Sequence, residues 1–168
     1  MNAVAAILGS AFSDSLPGEL DLKPETIETE WGEQTLHRVP DADRPAYVLF
    51  RHEVPHCLLP NQINYRAQAA ALRAVDCGAL LVTSSVGVLD SDVPLYRSLL
   101  VDDLIMLNNR LPDGTACSMF TEPSDRHGHL VLNDGLFATE LTEQVRDLAG
   151  QVRASVAADV TFAYVQGP

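Results

Sequence analysis

The stretch from Arg51 to His56, RHEVPH, holds the residues of this chain that are best suited to chemistry. An arginine and two histidines fall within six positions, directly after the apolar run AYVLF. A guanidinium offers an anion a forked pair of N–H donors, and an imidazole can add another. A buried strand rarely ends in two cationic groups for packing reasons alone. The spacing therefore indicates an anion-binding site.

Two further apolar runs end in hydroxyl-bearing turns. AVAAIL runs into Gly9-Ser10, and ALLVT runs into Ser84-Ser85. Each turn by itself is an ordinary end to a strand. In open α/β sheets, however, ligands bind at the carboxyl ends of the strands, so parallel neighbours would bring these loops and the Arg51 loop to one edge. Hydroxyls, backbone amides, a guanidinium and an imidazole together suit a tetrahedral oxyanion.

Metal, redox and disulfide chemistry find little support in the sequence. His127 and His129 lie in one loop without a third ligand nearby, so no metal site is expected there. Cys57, Cys77 and Cys117 form no CxxC pair and suggest no disulfide framework. Cys77 is expected at the end of a helix as a small core residue.

Length and charge narrow the classes of function further. The 168 residues suit one domain, spanning 1–168, that buries roughly 70% of its unfolded surface. Eleven basic residues against 23 acidic ones give a net charge of −12, which repels nucleic acid and anionic lipid. We find no signal-peptide pattern and no run near the ~20 apolar residues of a membrane span, so the expected location is the cytoplasm.

The apolar pattern up to residue 83 predicts an α/β fold. Three apolar runs are typical of buried strands: AVAAIL at 3–8, AYVLF at 46–50 and ALLVT at 79–83. ETIETEW and EQTLHRV, separated at Gly32, indicate a hairpin. A helix is expected from Ile63 to Cys77, ending at Gly78. Strand, helix and strand with short connections predict a βαβ unit with a right-handed parallel crossover.

The rest of the chain predicts fewer elements. LLVDDLIML indicates one or two strands, and Leu111 to Gly128 has the composition of a loop. The apolar spacing from Ala138 to Ala157 suits an amphipathic helix with a possible break at Gly150. VTFAYV, at 160–165, indicates a last buried strand.

Three blocks of this sequence resemble one enzyme family. AILGSAFSD, RHEVPHCLLPNQINYRAQAAALRAVDCGALLVTSSVGVL and YVQGP occur in the order and at the spacing of the purine nucleoside phosphorylase and methylthioadenosine phosphorylase family. That family shows a Gly-rich Ser/Thr turn, then Arg-His-Gly with a further histidine and Asn-Tyr-Arg-Ala. A Thr-rich turn and Glu-Gly-Pro-Arg-Phe follow later. The block from Arg51 to Leu89 is the most specific part, and the resemblance spans nearly all of this chain but only the N-terminal two thirds of the family.

The resemblance implies a fold, a site and partners. The fold would be α/β, with a mixed, largely parallel sheet flanked by helices, nucleoside phosphorylase-like and truncated at its C-terminal end. His56 would lie on the ribose side of the pocket, and no catalytic residue, metal or cofactor is implied, with inorganic phosphate as the co-substrate. Members of this type commonly form homotrimers that bind a purine nucleoside near the subunit interface. The phosphate-binding residues would be Ser10, Arg51, His52, Ser84 and Ser85.

The chain departs from the family pattern at several positions. Ala11 and Glu53 each stand where the family has glycine, Gln166 stands where it has glutamate, and PLYRS replaces Pro-Gly-Asp. A carboxylate directed at phosphate would cost on the order of 4 kcal/mol at about 4 Å and an effective dielectric of about 20. We therefore expect Glu53 to point away from the anion, to pair with a cation or to mark an altered site. The family's base-binding segments follow Gly-Pro, so we expect a fragment or one part of a split chain.

The leading interpretation is phosphorolysis of a purine nucleoside, methylthioadenosine-like or inosine- and adenosine-like, to free base and pentose 1-phosphate. This is a pentosyltransferase reaction of purine salvage. Two alternatives stay open: a nucleosidase that uses water, and a degenerate, non-catalytic module that binds a ligand or serves assembly. Phosphate dependence of base release separates the phosphorylase from the nucleosidase. Ala11 and Glu53 favour the non-catalytic module.

Overall fold

A computed structural model describes residues 1–12, 21–106, 110–123, 135–151 and 156–165. His127, His129 and Gln166, singled out above, lie outside these residues. The chain divides into two units. The first is made mainly of Met1–Val86 with Arg110–Met119, and the second of Gly87–Asn109 with Phe120–Val165.

The first unit is built on a five-stranded mixed sheet. Its strands are β1 (Ala3–Leu8), β2 (Lys23–Thr29), β3 (Gly32–Arg38), β4 (Ala46–Phe50) and β5 (Cys77–Val82). They lie in the order β2-β3-β4-β1-β5. β1 pairs in parallel with β4 and β5, whereas β2, β3 and β4 pair antiparallel. This confirms the α/β class, the hairpin and the parallel arrangement of the βαβ unit.

The helix of that unit, α1 (Tyr65–Ala74), is shorter at both ends than predicted. It begins after Asn64, whose side chain accepts a hydrogen bond from the Ala67 N–H at 3.1 Å and caps the first turn. It ends because Asp76, with φ of 54°, turns the chain before Gly78 is reached. The predicted helix-end position of Cys77 is therefore wrong, since this residue begins β5, but its partly buried side chain does pack against the core cluster.

The core lies between the sheet and α1. Leu36 and Leu49 are fully buried and pack with Ala5, Ala71 and Leu72. Successive side chains of a strand point to opposite faces of its sheet. Val48 and Phe50, on either side of Leu49 in β4, accordingly form a second cluster with Leu22. In the strand predicted as buried at 46–50, residues 48–50 are thus buried, whereas Ala46 and Tyr47 are half-buried.

Strand β5 does not match its prediction as a buried strand. Leu80, Leu81 and Val82 are 40%, 45% and 53% exposed. The reason is the position of β5 at an edge of the sheet, where among the described residues it pairs with β1 alone. An apolar run fixes a strand's composition but not its place in the strand order.

Two side chains at the start of α1 tie this helix to its neighbours. The Asn64 Nδ2 donates to the Trp31 carbonyl at the hairpin turn at 2.7 Å. The Arg66 guanidinium lies 4.7 Å from the centre of the Trp31 ring, a cation–π contact. Its Nε and Nη2 also donate to the carbonyls of Ser118 (2.6 Å) and Ala116 (3.1 Å). The hairpin, the helix and the 110–119 segment are therefore held at one point.

The second unit contains β6 (Ser98–Met106), α2 (Thr139–Gln151) and β7 (Val156–Tyr164). β6 and β7 pair in parallel. The prediction of a helix from Ala138 to Ala157 was too long, because α2 passes Gly150 and ends at Gln151, and β7 begins four residues earlier than the predicted strand at 160. Among the described residues, no helix has the length and apolar composition needed to cross a membrane.

Leu49→Ala should lower the free energy of unfolding by about 2–5 kcal/mol, because it removes a fully buried side chain and leaves a cavity. Leu89→Ala is the matched control, since Leu89 is 95% exposed. Urea titration followed by circular dichroism measures both values. An equal effect of the two substitutions would show that Leu49 does not lie in the core.

Candidate functional site

The three predicted loops leave the sheet at one edge. β4, β1 and β5 are parallel neighbours, so their carboxyl ends lie side by side. The Arg51 N–H donates to the Leu8 carbonyl at 3.0 Å, and the Thr83 N–H donates to the Ile7 carbonyl at 2.9 Å. Each ladder thus continues one residue beyond its strand. The loops that begin at Gly9, Arg51 and Thr83 meet as expected.

The Arg51 side chain crosses the end of β1 to the third loop. Its Nη2 donates to the Ser84 hydroxyl at 3.2 Å, although the two residues are 33 positions apart. A Cβ added to Gly9 would lie 2.7 Å from this Nη2 and 3.0 Å from the Thr83 carbonyl oxygen. A side chain at position 9 would therefore crowd the Thr83 carbonyl oxygen and displace the flexible end of Arg51.

Thr83 also belongs to this edge of the sheet. The sequence placed it at the end of a strand but did not indicate a role for its side chain. Its hydroxyl accepts a hydrogen bond from the Gly9 N–H at 3.2 Å and donates to the Ile7 carbonyl at 3.3 Å. Both bonds tie the turn after β5 to the end of β1. The signal in the sequence was a polar, β-branched residue that ends an apolar run.

His52 is buried and held in one tautomer. Its Nδ1 lies 2.8 Å from the Leu58 carbonyl oxygen, to which only an N–H can donate. The neutral ring then has a lone pair on Nε2, which faces the Arg51 Nε at 3.5 Å. Burial lowers the pKa of His52, the bond to Leu58 opposes this, and the charges of Arg51 and His56 lower it further. The imidazole beside Arg51 is thus kept neutral at neutral pH.

His56 lies against His52, as their four-residue spacing allows. The two ring centres are 4.5 Å apart, with 34° between the ring planes. The His56 Nε2 lies 3.2 Å from the Leu58 carbonyl oxygen, which His52 also contacts. One carbonyl therefore holds both imidazoles, and His56 remains exposed at the outer side.

Glu53 adopts a backbone conformation that favours glycine, with φ of 66°. Its carboxylate accepts a hydrogen bond from the Cys57 thiol at 3.1 Å, and this bond raises the pKa of that thiol. The carboxylate thus pairs with a neutral donor, a partner that the sequence interpretation did not foresee. A residue other than glycine at this φ is strained by roughly 1–3 kcal/mol.

The remaining predicted residues lie in the loops that follow β1 and β5. Ser10 is half-buried and begins a short 3-10 helix, Ser10–Phe12. Ala11 lies within that helix, a conformation that alanine adopts readily, so its replacement of glycine causes no strain there. Ser85 follows Ser84 and is exposed. Among the described residues, no three His, Cys, Asp or Glu side chains form a group that could hold a metal ion.

The geometry brings a fixed cation and polar donors together at a strand-end loop. Arg51 and Ser84 are in direct contact, Gly9 leaves room for that approach, and the His52 Nε2 accepts a hydrogen bond from the Arg51 Nε. A guanidinium and a hydroxyl on one edge are suited to hold an oxyanion with several acceptor oxygens. No described pair of side chains has the environment of a matched acid and base.

Comparison with known proteins identifies relatives of one kind. The chain is 33% identical over 105 residues to an S-methyl-5'-thioadenosine phosphorylase of Bradyrhizobium diazoefficiens, covering 61% of this chain and 36% of that protein. It is 27% identical over 169 residues to S-methyl-5'-thioadenosine phosphorylase 2 of Puccinia graminis f. sp. tritici, covering 98% and 54%. No protein-family model matches the chain.

The fold is also similar to that of a solved structure. The structure of methylthioadenosine phosphorylase from Schistosoma mansoni in complex with tubercidin superposes with a TM-score of 0.78 at 21% identity. The match covers the whole of this chain and 64% of that one. This chain thus spans between about a third and two thirds of the length of these proteins. In sequence and in fold, the chain resembles the purine nucleoside phosphorylase and methylthioadenosine phosphorylase family, as its motifs predicted.

Proposed function

We propose that this chain takes part in phosphorolysis of the N-glycosidic bond of a purine nucleoside, giving a free base and a pentose 1-phosphate. The observation that carries the proposal is the Arg51 guanidinium, which donates to Ser84 where three parallel strands end. The relatives named above are phosphorylases, which supports phosphate as the anion. Their names also favour a methylthio-substituted nucleoside as the substrate.

The proposed chemistry needs positioning and charge more than a reactive side chain. A phosphate oxygen forms a bond to the anomeric carbon while the bond to the base breaks, and its electron pair leaves with the base. Arg51 and the hydroxyls of Ser10, Ser84 and Ser85 would hold the phosphate below the sugar. His56, exposed beside His52, would face the ribose. Held charges of this kind lower the barrier because they need not reorganise during the reaction.

A second candidate is a non-catalytic module that binds an anion. One observation favours it: Glu53 places a carboxylate on the loop that carries Arg51, where the family has glycine. A carboxylate close to a bound phosphate would weaken its binding. Both candidates predict anion binding, but only the first predicts turnover of a nucleoside.

The resemblance also supports a trimer, a cytoplasmic location and a reaction without a metal or organic cofactor. The exposed apolar side chains of β5 suit a surface that is covered in an assembly. Sedimentation at micromolar concentration measures the assembly state directly.

Arg51→Ala should weaken phosphate binding by ~1.5–3 kcal/mol, or roughly 10- to 150-fold, which is the scale of a charged hydrogen bond. Arg73→Ala is the matched control, because Arg73 is an exposed arginine at the far end of α1. Calorimetry measures both affinities. An unchanged affinity in Arg51→Ala would remove this residue from the site.

Sulfate affinity should rise as the pH falls towards the pKa of His52 in the free protein, which lies below the ordinary value of about 6.5, by at most about tenfold per pH unit. The pKa of His52 is lowered in the free protein, and a bound anion favours the imidazolium and raises this pKa, so that binding takes up a proton. Sulfate is the probe because phosphate itself titrates near this range. His52→Gln should flatten the dependence. The same slope in this variant would assign the proton to another group.

Base release from methylthioadenosine, inosine or adenosine should depend on phosphate and should yield pentose 1-phosphate. Chromatography of the products, with and without phosphate, measures this. Arg51→Ala should slow the reaction about 10²–10³-fold, as the loss of one charge-stabilising donor does, whereas Arg73→Ala should not. Free pentose without phosphate would indicate hydrolysis. Phosphate binding without any base release would agree with the non-catalytic module and equally with a fragment that lacks the family's base-binding segments.

A further inference from the structure

The described residues contain two buried polar or charged side chains, His52 and Gln68, and both contact Arg51. His52 accepts from the Arg51 side chain, as described above. Gln68 lies in α1 and is 5% exposed, and its Nε2 donates to the Arg51 carbonyl oxygen at 3.1 Å. The two buried polar residues in the described part of the chain thus both contact one arginine.

Gln68 is not the residue that packing would select. Its neighbours on the buried face of α1 are Ala67, Ala71 and Leu72. An amide on this face loses its hydration and regains only what one hydrogen bond returns, whereas a leucine of similar size would gain from burial. The position therefore favours a role for the carboxamide beyond stability of the core.

The bond from Gln68 completes the fixation of the Arg51 backbone. On one side, the Arg51 N–H donates to the Leu8 carbonyl of β1. On the other side, the Arg51 carbonyl accepts from α1 through Gln68. Immediately afterwards the chain turns through Glu53 with a positive φ, so the ladder offers no further support. The Gln68 carboxamide therefore holds the Arg51 peptide at the point where the strand ends.

We propose that Gln68 is a positioning residue of the anion site and acts through Arg51. An arginine side chain is long and flexible, and a fixed backbone reduces the freedom that it must lose when an anion binds. Gln68 directs the guanidinium towards Ser84 by holding the peptide from which it extends. The inference rests on the proposed anion site and identifies the residue that orders it.

The test is sulfate affinity, measured by calorimetry on the full 168-residue chain. Gln68→Leu keeps the volume and removes the donor, and we expect binding about tenfold weaker. Leu72→Ala is the control, because it lies on the same buried face and lowers stability without touching Arg51. Gln68→Asn, too short to reach the carbonyl, should weaken binding in the same way and serves if Gln68→Leu does not fold.

Gln68→Glu makes the hydrogen bond at this position depend on pH. A protonated carboxyl can donate to the Arg51 carbonyl, whereas an ionised one cannot. The ratio of the sulfate affinity of Gln68→Glu to that of the unsubstituted chain should therefore approach one at low pH and fall as the pH rises.

The possible failures are distinguishable. Sulfate binding that Arg51→Ala weakens but Gln68→Leu and Gln68→Asn leave unchanged would overturn the role of Gln68 and keep the anion site. Equal weakening by Leu72→Ala would also overturn this role, because stability alone would then explain the effect. Absence of sulfate binding in the unsubstituted chain would overturn both the site and the inference.

Discussion

The hydrogen bond from the Arg51 N–H to the Leu8 carbonyl is the constraint on which the site depends. It carries the parallel ladder one residue beyond β4, so that the guanidinium leaves the sheet in a defined direction. Gly9 leaves room for this path, because a Cβ at that position would crowd the Arg51 Nη2 and the Thr83 carbonyl oxygen. Ser84 can meet the guanidinium only because β5 is parallel to β1 and ends beside it.

Electrostatics explain why the buried imidazole is kept neutral. The chain carries a net charge of −12, so any site for an anion must be built from local groups against the general field. A charged His52 next to Arg51 would strengthen the local field but would repel the guanidinium. Burial avoids this conflict in the free protein, because it lowers the pKa of His52 despite the opposing effect of the bond to Leu58. His52 can then take up a proton when a bound anion offsets the repulsion from Arg51.

The sequence predicted those features that depend on local pattern. The α/β class, the hairpin and the convergence of the loops at Ser10, Arg51 and Ser84 follow from apolar runs that end in polar residues. Strand order does not follow from such runs, which is why β5 was expected to be buried. The contact between Gln68 and the Arg51 carbonyl was also out of reach, because it joins residues 17 positions apart through the register of a helix on a sheet. The thiol partner of Glu53 depends on a side-chain direction that no periodicity encodes.

The contact between Trp31 and Arg66 has an optical consequence. Trp31 is the one tryptophan of the chain, and a guanidinium lies over its ring. Its indole emission therefore reports the seating of α1 against the hairpin, without any added label. The same helix carries Gln68, so a change in how α1 is seated would reach the indole and the Arg51 peptide together. The fluorescence of Trp31 thus reports on the helix that holds the Arg51 backbone, although Trp31 lies outside the proposed anion site.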